Sequence, residues 1–324
     1  QKAMIEIPSR FAGRPPVHRD IDTELTTWQR AQGLAADVEA YGQWMRDEAE
    51  RRIGHLYPDA TGPNGEKLTP IAWIWARTVE SPDPTWNGHV PLVASWTLSN
   101  KKGKPKVWIE PIINRDTQTI TYEIREGGTP YLEETVDRGG GYCIATNAAI
   151  SFDYIRKEGR AQRHGRSLLA VVAEGKGRVY CVGSGTDVPD CGAEVSISLG
   201  DIHQNTRDFK TPNYGIEQWE GLFTQRQLVA LTTFSELLPE IRERVIADAI
   251  AKGVIDDGVR LRDGGSGATA YADAITTYLA FVVDKCTDYW SSISTWAQQG
   301  FVGNTFGLQA IPMTWDFAET NPFS

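Results

Sequence analysis

At about Pro70 the hydrophobic pattern of this chain changes period, and any fold has to accommodate that change. Before it, Leu34, Val38, Tyr41, Met45 and Ala49 recur at spacings of four, three, four and four. That spacing puts them on one face of a helix expected from about Glu24 to His55. After it, residues 71–79, 91–98, 107–113 and 120–124 are rich in β-branched and aromatic side chains, the signature of strands. The loop 99–106, with Gly103 and Pro105, joins two of these runs as a hairpin, and 114–116 turns between the next two. The four runs read as an antiparallel meander. Two further strands are expected at 168–173 and 178–182.

The last third returns to helical spacing. Thr224 with Gln227 three residues later fits a capping box ahead of Leu228, Leu231 and Leu238. Pro239 is expected to break or kink that helix, since proline removes a backbone donor. A second segment runs from Glu240 to Lys252 and ends at Gly253. Another helix, from about Tyr271 to Trp290, carries Ile275, Leu279, Val282 and Cys286 on one face. At the other end of the chain, a short helix at Ala3–Ile7 gives way to a linker through Pro8, Pro15 and Pro16. Residues 183–215 are Gly-, Asp- and Pro-rich and read as irregular. The pattern divides the chain into a helical part (1–65), a β-rich part (66–215) and a second helical part (216–324). The fold class is α/β in the broad sense, α+β within this segment.

Composition narrows the function. A hydrophobic share of 40% with 23% charged residues is ordinary for a chain that buries a core. The eleven tryptophans are expected mainly as core. No apolar run approaches the roughly 20 residues of a membrane helix, and the first ten residues lack the pattern of a signal peptide. Four cysteines in 324 residues suit a reducing, cytoplasmic setting and no disulfide framework. The chain does not start with methionine, which suggests a piece of a larger protein. Net charge is −9, yet residues 86–180 hold 14 Lys and Arg against 10 Asp and Glu. A mildly basic middle between acidic ends permits a local phosphate-facing surface.

Several catalytic arrangements fail on spacing. A zinc ribbon needs cysteines paired at short intervals, but Cys143 has no near partner, and Cys181 and Cys191 stand ten apart. The five histidines are scattered, and no Gly-x-Ser-x-Gly elbow occurs. Glu133 and Glu134 are neighbours in sequence, so they are expected to be solvated. His164, among arginines, is expected at the surface. The Gly264-Gly265-Ser266-Gly267 run follows no hydrophobic strand and is read as a helix–helix connection without a phosphate-cradling role.

Two basic clusters remain. Lys101, Lys102, Lys104 and Lys106 crowd the hairpin tip. Arg156, Lys157, Arg160, Arg163 and Arg166, with His164, form the second. Cations interleaved with glycine suit a phosphate backbone, where they displace condensed counterions. Lysines at a hairpin tip also serve simply to keep a sheet edge soluble.

Seven stretches resemble a known family. They are KAMIEIPSRFAGRPPVH, GQWMRDEAERRIGHLYP, IAWIWARTVESPDP, VPLVASWTLSNKKGKPKVWIEP, FDYIRKEGRAQRHGRSLLAVVAEGKGRVY, TPNYGIEQWEGLFTQRQLVALTTFSEL and NTFGLQAIPMTWDFAETNPF. In order along nearly the whole chain, they look like the central region of large prokaryotic adenine-specific DNA methyltransferases with a zinc ribbon. The resemblance implies a Rossmann-like, S-adenosylmethionine-dependent enzyme that methylates adenine N6 in double-stranded DNA. It implies helical pieces of that fold flanking a β-rich antiparallel insertion that helps hold DNA. In such proteins the F-x-G-x-G cofactor segment precedes a stretch like Lys2–Pro8, and the D-P-P-Y loop follows one like Trp315–Phe323. This chain would then contain neither motif and no catalytic residue.

Where ribbon members place cysteines, this sequence has Ser81-Pro82-Asp83-Pro84, and around the second position only Cys143 survives. Metal binding is therefore not carried over, and Trp73, Trp75, Trp86 and Trp96 are expected to supply the stabilisation instead. The terminal Asn321-Pro322-Phe323 lacks the second proline of the methyltransferase loop, and the preceding WDFAE does not read as a hydrophobic strand. It is rejected as a catalytic motif. The alternatives to a methyltransferase segment are a non-catalytic DNA-binding module and a protein-interaction module of a modification or defence system.

Overall fold

The computed structural model describes residues 2–22, 27–183, 188, 191, 195–205 and 207–324. Five α-helices occur among them: α1 (Lys2–Arg10), α2 (Gln32–Ile53), α3 (Phe152–Arg160), α4 (Gln225–Ala251) and α5 (Ala268–Thr287). The longer strands are β1 (Pro70–Glu80), β2 (His89–Leu92), β3 (Thr97–Ser99), β4 (Val107–Asn114), β5 (Thr119–Glu126), β6 (Gly165–Gly175), β7 (Gly177–Val182) and β8 (Asp316–Thr320). The protein is mixed α/β, and every strand ladder among the described residues is antiparallel. No helix among the described residues is long and apolar enough to cross a membrane. The chain forms two compact units, Gln1–Gly54 with Val229–Thr287, and His55–Leu228 with Asp288–Ser324.

The first unit is helical and is organised around two buried aspartates. Asp37 of α2, fully buried, accepts the backbone N–H groups of Val17 (2.7 Å) and His18 (2.9 Å) and the Tyr271 hydroxyl (2.7 Å). Burial raises its pKa, and those three donors oppose the rise. Asp248 accepts from Tyr41 (3.0 Å) and Arg19 (2.8 Å). The extended Pro15–Pro16 segment is thereby bound to α2. The contact is so close that a Cβ at Gly33 would strike the Arg14 carbonyl. Both aspartates thus have their oxygens engaged, which is what burial demands.

The second unit is built on β1. Along one edge β1 pairs with β6, which continues to β7. Along the other it pairs with β8 over Ala72–Ala76 and with β2 over Arg77–Glu80. Alternation along β1 sends Ala72, Ile74 and Ala76 to one face, where Leu169, Val172, Ala318, Trp96, Ile109 and Tyr122 complete a core with the β3–β4–β5 sheet. The opposite face carries Trp73, Trp75 and Arg77. Behind β2, Val79, Trp86, Val90, Cys143, Ile150, Ile155 and Tyr214 form a second cluster, which seats α3.

Several expectations from the sequence hold. β6, β7 and the β3–β4 hairpin lie where their runs put them, and Asn114 Oδ1 closes the next turn by accepting from Asp116 and Thr117 (3.0 Å each). The Thr224–Gln227 box forms in both directions, at 2.9 and 3.2 Å. Gly253, at φ 84°, ends α4.

Others are corrected. The four-run meander is split, because β1 pairs mainly with distant β6 and β8. The 91–98 run breaks at Val93 and Ala94, whose N–H groups go to Thr135 (2.7 Å) and Asp316 (3.0 Å) side chains. Helix α2 starts at Gln32, not near Glu24, since Arg30 takes a left-handed φ of 49°; Glu24 lies outside the described residues. Pro8 and Pro239 both lie inside helices. α4 absorbs the rung lost at Pro239 because Leu237, Ile241 and Val245 are fully buried on either side. On α5 it is Val283 that is buried, while Val282 is 48% exposed. The stretch read as no strand, WDFAE, contributes β8, with Phe317, Ala318 and Glu319 buried.

Candidate nucleic-acid interface

The lysine-rich hairpin turns through Gly103 at φ 78°, with Lys104 N–H donating to the Lys101 carbonyl (3.1 Å). Lys102 and Lys104 are exposed, Lys101 and Lys106 half-buried. The tip does not simply point into solvent. Lys101 and Lys104 line an open cleft of about 970 Å³ whose walls include Glu123, Ile124 and Glu126 of β5 and Arg178 and Tyr180 of β7. Lys102 and Lys106 stay outside it.

The arginine cluster divides among three environments. Helix α3 is capped by Ser151, whose hydroxyl accepts from Tyr154 N–H (3.2 Å). Its end packs against the turn 211–215, a contact possible because Gly159 and Gly215 both lack a Cβ. Arg156, Lys157 and Arg160 line one open hollow of about 680 Å³ together with Asp153 and Asn213. Arg156 bonds Asp153 (2.9 Å) and lies 5.6 Å from the ring centroids of Phe152 and Tyr214. Arg163 instead turns back onto buried Glu158 with two bonds, 2.6 and 2.7 Å. That pairing holds the Glu158 carboxyl below its ordinary range. Arg166 leaves the helix altogether and sits on β6, its guanidinium 5.7 Å from the Trp75 ring centroid.

Arg166 borders a second cleft of about 810 Å³, with Trp75, Tyr122, Leu168, Val182 and the start of α4 among its lining. Glu319 and Arg226 close its floor. They pair at 2.8 Å with side chains only 2% and 3% exposed. Glu319 also accepts from Thr224 Oγ1 (2.6 Å) and Trp75 Nε1 (2.8 Å). Burial alone would raise the Glu319 pKa, but Arg226 and then Thr224 bring it below its usual value. Arg226 lies 4.1 Å over the Trp73 ring. Directly across the ladder from Arg166 stands Arg77, buried among carbonyls of Thr314 (2.9 Å) and Ser292 (3.0 Å). Burial, and then Arg166, push its pKa down to about 10.

Other sequence candidates find structural roles. His164 is half-buried, not a surface residue, and its Nε2 meets the Ile155 carbonyl at 2.9 Å; burial lowers its pKa. Glu133 and Glu134 are exposed, as expected. The turns at Ser81 and Cys143 face one another, with Ser81 Oγ 3.4 Å from Cys143 Sγ and Asn147 at φ 67°. Among the described residues no group of three or more His, Cys, Asp or Glu is set to hold a metal. Asn321 is spent internally. Its amide donates to the Pro70 carbonyl (2.8 Å) and its oxygen accepts from Phe323 N–H (3.0 Å).

No protein-family model, curated protein or solved structure matches the chain. Arg178, Arg226 and Glu319 were not singled out in the sequence. Nothing local marks them, since Arg226 and Glu319 meet across 93 positions.

Proposed function

We propose that this chain is the DNA-contacting segment of an S-adenosylmethionine-dependent adenine-N6 DNA methyltransferase, a Rossmann-like enzyme. The observation that carries the DNA part is the gathering of Arg156, Lys157 and Arg160 on one open hollow. Phosphate oxygens suit such a surface, because each cation that neutralises a phosphate releases condensed counterions. The rigid backing of Phe152, Tyr214 and Trp315, the first and last stacked at 25° with centroids 6.2 Å apart, holds α3 in place. Phosphate contacts of this kind set register on the duplex and leave base reading to other groups.

The methyltransferase part is supported by the seven collinear resemblances. On this reading the donor pocket and the loop that grips the flipped adenine are formed with chain beyond residues 1–324. The described residues then supply scaffold and positioning for methyl transfer, and no metal takes part.

Duplex binding followed by fluorescence anisotropy across a salt series tests the DNA part. Arg156→Glu with Arg160→Glu is expected to weaken duplex affinity at least tenfold at low salt. Affinity unchanged within twofold would remove α3 from the interface. Calorimetry tests the division of labour, and micromolar S-adenosylmethionine binding by residues 1–324 alone would overturn it.

A further inference from the structure

The two clefts are lobes of one trough. They share Val182, and they divide β5 between them: Ile120, Thr121 and Tyr122 line one, Glu123, Ile124 and Glu126 the other. From Ile120 to Glu126 the trough is about 20 Å long at 3.4 Å per strand residue. It unites members of both basic clusters, Lys101 and Lys104 from the hairpin and Arg166 from β6, and adds Arg178. Among the described residues none of these four has an ion-pair partner. Of the carboxylates on the walls, Glu319 is engaged by Arg226, and Glu123 by Arg125 at 2.7 Å. Among the described carboxylates on the walls, Glu126 alone is left to oppose four cations.

We propose that this trough holds a single strand of nucleic acid. The proposal rests on the nucleic-acid reading above but concerns a different surface from α3. Lobes of about 810 and 970 Å³ have the size of small-molecule pockets and take single nucleotides. Lobes of that volume are roughly 10 Å across, narrower than a duplex, whose major groove alone is about 12 Å wide. Cations tracking a backbone beside fixed aromatic rings are what sequence-tolerant single-strand binding requires. Here Trp75 is the fixed ring, its indole N–H anchored by Glu319 and its face beside Arg166. Tyr180 stands in the second lobe. In an enzyme that opens a duplex to reach a base, such a trough accepts the nucleotides that have left the stack.

The test is fluorescence anisotropy of the 324-residue protein with a labelled 12-nucleotide single strand, the matching duplex and an abasic strand of equal length. All three substitution sets lie on exposed or half-buried cations, and thermal melting checks that each variant folds. Lys101→Glu with Lys104→Glu, and separately Arg166→Ala with Arg178→Ala, are expected to weaken single-strand binding at least tenfold. Both pairs should leave duplex binding within threefold. The α3 pair Arg156→Glu with Arg160→Glu should show the opposite pattern, so either site can fail without the other. The intact strand should bind at least fivefold tighter than the abasic one. Trough variants that leave single-strand affinity within twofold would sink the proposal. Equal binding of the abasic strand would also overturn it, by reducing the trough to a polyanion patch.

Discussion

Arg226, in the first turn of α4, and Glu319, on β8, form an ion pair at 2.8 Å with both side chains almost wholly buried. Removing one member strands a charge in the core, which costs about 3–5 kcal/mol. Arg226→Met and Glu319→Gln should each lower urea stability by about that amount. The double variant should lose less than the two singles together. The Glu319 carboxyl sits below its unfolded value, so the pair's stabilisation is full above about pH 4.5 and fades as pH falls through the folded pKa. Wild type and Glu319→Gln should therefore converge in acid, and a constant gap from pH 7 to 3 would contradict the pairing.

Asp316, three residues before Glu319, behaves in the opposite sense. Burial lifts its carboxyl to about 6, against the opposing backbone N–H groups of Ala94, at 3.0 Å, and of Asp316 itself. A raised acid is protonated more readily in the folded state, so its penalty is absent below the unfolded value of 3.8 and complete above about pH 6. Two pH units convert to about 3 kcal/mol. Asp316 is only half-buried, so Asp316→Asn should gain less than that at pH 7 and nothing at pH 3. Thermal melts at the two pH values check this, and an equal gain at both would refute it.

The long helices and most strands were legible because periodicity is local, whereas α3 and β8, with their charged residues, were not. Leu34, Tyr41 and Met45 mark α2 without knowledge of any partner. What β1 pairs with was not legible, because β6 and β8 lie far along the chain, and the tempting neighbours at 107–124 form their own sheet. The same limit applies to charge. The two basic clusters are visible as composition, but the environment of each cation depends on where its side chain is taken. Arg163 finds Glu158, Arg166 finds Trp75, and Lys102 finds solvent. Asp316 and Glu319 looked like breaks in a strand, when each is an acid, the first half-buried and the second buried, with its own donors.

The turns at Ser81 and Cys143 offer a direct check on long-range packing. With Ser81 Oγ 3.4 Å from Cys143 Sγ, Ser81→Cys should place two thiols within bonding reach. Mild oxidation is expected to join them, closing a loop of 62 positions and adding about 4 kcal/mol of stability by the chain-entropy relation. Thiol titration of the unfolded protein should show two fewer free groups than before oxidation. If all thiols remain titratable, the two turns do not face each other as described.

Arg160 and Arg163 stand three residues apart in one basic run, yet they should behave differently toward DNA. Arg160 is exposed on the α3 hollow, whereas Arg163 is held by both carboxylate oxygens of Glu158. A cation already neutralised by a carboxylate releases few counterions on meeting a phosphate. Arg160→Ala should therefore reduce the slope of log affinity against log salt by about 0.9. Arg163→Ala should leave that slope unchanged and lower the melting temperature at pH 7, because Glu158 loses its partner. Glu158's pKa is depressed in the folded state, so that melting difference should shrink as pH falls below the ordinary glutamate value. Equal salt slopes for the two variants would mean that the Arg163–Glu158 pair opens on DNA and that the whole run acts as one patch.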